Sequence, residues 1–134
     1  MTEYKKFLFY QHMSEIIKDN AFSICISDFK SKDDVFNLYN KSLNFPEYFG
    51  NNWDALKDSL CYLNDWMDEK RILIIHKDLP HINDNDIKNY LFVLNDVCEM
   101  WEQHSDILDF QVYFPESCKN MIQEIFTNSN QTYI

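Results

Sequence analysis

The sequence predicts an α/β fold, a small three-stranded parallel sheet packed with helices. Three observations point there. Apolar patterning gives the order strand, helix, helix, strand, helix, strand, for which parallel pairing with right-handed crossovers is the expected solution. The middle strand, Arg71-Ile-Leu-Ile-Ile-His76, is a continuous apolar run, as in a strand buried on both faces. The outer two, Ala21–Ser27 and Asp109–Phe114, alternate apolar with small or polar residues.

The elements follow in chain order. Glu3–Asp19 carries apolar side chains at mixed spacing (Phe7, Leu8, Met13, Ile16, Ile17) and reads as helical. Phe22, Ile24 and Ile26 make the first strand. Ser31 is placed to cap a helix, with Asp33 and Asp34 facing its positive end. Val35, Leu38 and Tyr39 carry that helix forward, and it must end before Pro46 because the residue ahead of a proline avoids helical geometry. Phe45–Asn52 is a loop holding Gly50, the only glycine, which marks a backbone site needing positive φ or a close approach. Asn51 or Asn52 caps a second helix, Trp53–Leu63. A long third helix runs over Asn83–Gln103, capped by Asn83 or Asn85, with Tyr90 and Trp101 in its core stripe. Pro115 stops the last strand, and Glu116–Phe126 forms a short terminal helix.

A chain of 134 residues, 46% of it apolar, suffices for one domain with a packed interior. We read residues 1–134 as that domain, with a core of about 20–114 and extensions at both ends. No apolar run is long enough to span a bilayer, and no signal peptide is legible before Phe7–Tyr10. The expectation is a cytoplasmic protein. Its cysteines, Cys25, Cys61, Cys98 and Cys118, have no close pair. With no export signal they are expected to be reduced, and the three beside apolar segments (Cys25, Cys61, Cys98) to be buried.

The net charge is −10 and Arg71 is the only arginine. A nucleic-acid binder needs cations to neutralise phosphates, so direct nucleic-acid binding is not expected, and binding to an anionic membrane surface is disfavoured for the same reason. An acidic protein steers basic partners toward itself. Charge alone also serves solubility, so its location has to decide.

As a helix, Asn52–Asp65 puts Trp53, Leu56, Leu60 and Leu63 on one side and Asp54, Asp58 and Asp65 on the other. Asp54 and Asp58 are one turn apart, and their repulsion is relieved when a cationic partner arrives. From Asn44 to Glu69 there are six acids and one base, Lys57. Tyr48, Phe49 and Trp53 interleave as aromatic anchors. The bland alternative is a solvated helix face with the aromatics turned inward. Acid–base catalysis by Asp54 and Asp58 requires a cleft that drives their pKa values apart, which an exposed face does not supply. No enzyme activity, cofactor or metal is expected. His76 and His81, five apart around Pro80, make at best a weak metal pair, and one glycine rules out phosphate-cradling glycine loops.

The segment Leu43-Asn-Phe-Pro-Glu-Tyr-Phe-Gly-Asn-Asn-Trp-Asp-Ala-Leu-Lys-Asp-Ser-Leu60 resembles the barstar family of ribonuclease inhibitors, whose pattern is Pro-Glu-Tyr-aromatic-Gly-x-Asn-x-Asp-Ala-Leu-x-Asp. The order of strands and helices from Ala21 to Phe114 is similar too. The resemblance implies a cytoplasmic immunity protein. It would place its second helix and the preceding loop in the cationic active site of a basic, secreted or delivered ribonuclease toxin. By motif position it puts Tyr48, Gly50, Asn52, Asp54 and Asp58 on the binding surface, Asp58 deepest, with Asp96 of the third helix as a further acid. Lys57 departs from the pattern, standing where the family's namesake has a tryptophan. That departure and the two extensions leave a second reading open, an interaction module bound to a non-ribonuclease toxin or other protein.

Overall fold

The computed structural model describes residues 6–45 and 50–129. Its four strands are β1 (Leu8–Tyr10), β2 (Phe22–Ile26), β3 (Arg71–His76) and β4 (Asp109–Pro115). The helices are α1 (Lys32–Ser42), α2 (Trp53–Cys61), α3 (Asp84–Glu102) and α4 (Lys119–Ser129), with single 3-10 turns at Met13–Glu15, Leu63–Asp65 and Glu116–Cys118. All strands are parallel, in the order β1-β4-β3-β2. The α/β expectation therefore holds, with a fourth strand added at the β4 edge.

That strand corrects the reading of Glu3–Asp19 as a helix. Phe7 and Phe9 pack with the main core while Leu8 and Tyr10 turn to the other face, the period-2 alternation of a strand. The longer mixed spacing hid it. β2, β3 and β4 advance across the sheet with helices on one face, where Ile72, Ile74, Phe110, Val112 and Phe114 join the main core. The connection from β1 to β2 travels back the other way, and only a path across the opposite face keeps it right-handed. There Met13 and Ile16 cover Leu73 and Ile75 in a second, smaller cluster. Arg71 ties this strap down, donating from Nη1 to the carbonyls of Ile17 (2.7 Å) and Asp19 (3.3 Å).

The caps fall where side-chain chemistry places them. Ser31 Oγ accepts from the Asp34 N–H, Asn52 Oδ1 from Ala55 and Asn83 Oδ1 from Asp86. Tyr90 and Trp101 are buried in the core, as their helical phase requires. Cys98 and Cys118 are buried, Cys61 is half-buried, and Cys25, against expectation, is exposed, because it alternates with Ile24 and Ile26 away from the helices. All four thiols are free.

His76 is the unexpected core residue. It is fully buried, stacked on Phe114 with ring centroids 3.9 Å apart. Its Nδ1 lies 2.9 Å from the Tyr113 carbonyl, which can only accept, so Nδ1 carries the proton. Nε2 must then accept from the Tyr90 hydroxyl (2.7 Å), and Tyr39 in turn donates to Tyr90 (2.8 Å). The chain of hydrogen bonds joins α1, α3, β3 and β4 around a neutral imidazole. Burial lowers the His76 pKa to about 3. The unfolded chain takes up a proton near pH 6.5 while the folded one does not, so this contribution is full above pH 6.5 and is lost as pH falls toward 3. Urea titrations should show stability dropping by about 2–3 kcal/mol between pH 7 and 4.5. The neutral His76→Gln variant should show a much shallower slope; equal slopes would place the loss elsewhere.

Candidate functional site

The segment between α1 and α2 is anchored at both described ends. Asn44 leaves α1 at φ 55°, a left-handed conformation that asparagine tolerates. Phe45 is buried against Trp66 (ring centroids 6.2 Å apart), whose indole N–H donates to the Leu43 carbonyl at 2.8 Å. On the far side Asn51 takes φ 51° and Asn52 caps α2. The predicted positive φ at Gly50 is therefore absent; the left-handed position belongs to Asn51. Gly50 meets the other condition, close approach. A Cβ there would lie 3.2 Å from Asn52 Nδ2, the atom that donates back to the Gly50 carbonyl. A side chain at 50 would press directly on the capping asparagine. Tyr48 lies outside the described residues.

Helix α2 turns its apolar side inward as its spacing requires, with Leu56 and Leu60 fully buried. It is shorter than expected. It ends at Cys61, and Leu63–Asp65 is a separate 3-10 turn, so Asp65 drops out of the acidic row. Trp53 also faces inward, its ring 4.7 Å from Phe36 and 5.9 Å from Tyr90. Asp54 and Asp58 remain exposed, and no hydrogen bond or ion pair among the described residues engages either. They stand on the surface one helical turn apart.

Lys57 does not simply flank this row. It reaches to α3, its Nζ 3.2 Å from Asp96 Oδ2, with both side chains partly exposed. α2 and α3 are further joined by the Trp101 indole donating to the Leu60 carbonyl at 2.9 Å. Beside this bridge burial pushes the Cys61 thiol up, against the opposing pull of Lys57. Thus α2 brings together Asn52, Asp54, Lys57 and Asp58, with Gly50 just ahead, and α3 supplies Asp96. The Lys57–Asp96 contact had no sequence signal beyond opposite charge, because it depends on how two helices pack. His76 and His81 share no site. His76 is in the core, and His81 is exposed with Nδ1 2.9 Å from Asp28 Oδ1. Among the described residues no group of three or more His, Cys, Asp or Glu side chains is arranged to hold a metal, and no helix is long and apolar enough to cross a membrane.

The model of the family described as Barstar (barnase inhibitor) matches residues 20–114, well over half of the chain. The chain belongs to the barstar family. No curated protein and no solved structure matches it. As a barstar family member it has the inhibitor scaffold, an α/β fold built on a parallel sheet, and membership of an inhibitor family supports a protein partner in general. The matched region contains α1, α2, α3, β2, β3 and β4 up to Phe114; β1, most of the strap and α4 lie outside it.

Proposed function

We propose that the protein is an immunity protein that inhibits a basic ribonuclease toxin by seating the loop–α2 face in the toxin's cationic active site. The observation that carries this is the exposed pair Asp54 and Asp58, engaged by no hydrogen bond or ion pair among the described residues, on a helix whose motif is that of the barstar family. Carboxylates presented this way replace the phosphates of RNA in front of lysines and arginines. Asp58 is the central contact, Asp54 its neighbour one turn earlier, and Asn52 and Gly50 fix the loop. Tyr48 is assigned to the same surface on the motif alone. Such a protein works in the cytoplasm that makes it, needs no cofactor, catalyses nothing and binds neither RNA nor membrane itself.

The test is inhibition of a small basic ribonuclease of the barnase type at two ionic strengths. Steering between opposite charges acts over about a Debye length. Raising salt from about 0.05 to 0.5 M should therefore slow association at least about tenfold and leave dissociation nearly unchanged. Lys57, a cation within the acidic face, favours a second reading: the scaffold serves a protein other than a ribonuclease. That reading expects no ribonuclease inhibition and an association rate that salt hardly moves.

A further inference from the structure

We infer that the Lys57–Asp96 ion pair selects the partner, holding Asp96 charge-compensated so that incoming cations are received by Asp54 and Asp58 of α2 rather than by Asp96. This rests on the proposed binding face and adds the chemistry of what it accepts. Lys57 leaves α2 between the two aspartates in sequence but is drawn across to α3, its ammonium 3.2 Å from the Asp96 carboxylate. A partner cation brought to Asp96 would lie beside that ammonium. Like charges so juxtaposed are a repulsive element, the means by which an interface rejects a wrong partner.

The pair is also within reach of a partner, since the side chains of Lys57 and Asp96 retain 42% and 31% of their exposure. It lines a shallow groove with Cys61, Glu99, Met100 and Gln103. Glu99 is exposed and Met100 half-buried. The toxin that fits therefore concentrates its cations opposite Asp54 and Asp58 and places an acceptor or an apolar side chain, not a lysine or arginine, opposite Lys57. Ribonucleases that place a lysine or arginine opposite Lys57 are refused.

A double-mutant cycle decides this, with wild type, Lys57→Met, Asp96→Asn and the double variant titrated against the same barnase-type ribonuclease, and Asp58→Ala as control. Thermal unfolding checks that each variant folds. Asp96→Asn should change affinity less than about threefold in the wild-type background and more than about tenfold once Lys57→Met has removed the ammonium beside the carboxylate. Binding by Lys57→Met where wild type fails, and its loss in the double variant, would support the same gate. If Asp58→Ala abolishes binding while the cycle is additive, the face stands and the gate is wrong. If neither wild type nor Lys57→Met binds, or if Asp58→Ala binds normally, the binding face itself fails and the gate falls with it.

Discussion

Asp58→Ala should weaken inhibition of the basic ribonuclease by about 2–5 kcal/mol, roughly thirtyfold to several thousandfold in Kd, mainly through faster dissociation. That range is general for truncating one member of a desolvated charge pair, and the complexes behind it include this family's own. Most of the loss is the cost of leaving the partner's cation buried without its counter-charge. The same substitution should leave the isolated protein as stable or slightly more so. Asp58 is exposed and engaged by no hydrogen bond or ion pair among the described residues. Alanine is the better helix former by up to about 0.7 kcal/mol. Removing the carboxylate also relieves its repulsion with Asp54, worth about 0.2–0.5 kcal/mol. Binding and stability thus move in opposite directions, which separates a contact residue from a structural one. Tight inhibition retained by the variant, or a fall in its melting temperature matching the loss of inhibition, would remove Asp58 from the site.

Much of this site was legible in the sequence because its parts are local. The cap at Asn52, the inward phase of Leu56 and Leu60 and the outward phase of Asp54 and Asp58 follow from the helical period alone. The same holds for β3 and for α3, whose long patterns leave little choice. What was hidden depends on residues far apart. Lys57 looked like a lone base in an acidic row until packing set it against Asp96, 39 positions away. His76 read as the last residue of a strand and half of a weak metal pair, and only its register between Phe114 and Tyr90 makes it the neutral centre of the core. Gly50 was read for positive φ or a close approach, and the structure uses the second, its missing Cβ. The end of α2 came early because Leu63 continues the apolar stripe through a 3-10 turn, which side-chain spacing cannot tell from another helical turn.

The N-terminal segment was the plainest misreading, and it carries the second large expectation. A protein lacking residues 1–20 should lose most of its stability and its cooperative unfolding, even though the family match begins at residue 20. Deletion removes Phe7, 5.2 Å from Phe114 and 6.1 Å from Phe126 between ring centroids. It removes Tyr10, whose hydroxyl donates to the His76 carbonyl at 2.7 Å, and Ile16, which helps to cover Leu73 and Ile75. Burial of each such side chain stabilises by about 1.5–3 kcal/mol, so these three account for roughly 5–9 kcal/mol. A domain of this kind holds only about 5–15 kcal/mol in total. The cut also opens the edge of β4 and bares the apolar face of β3, inviting edge-to-edge association. We therefore propose that the folding unit runs from β1 through α4, wider than the part that marks the family. The proposed binding motif lies outside the deleted residues, so inhibition should fail through unfolding and return in part wherever the truncated chain can be held folded at low temperature. Circular dichroism melts and amide chemical-shift dispersion would check this. A truncated protein that melts cooperatively within a few degrees of the full chain would show β1 and the strap to be an addition to a core already complete at residue 21.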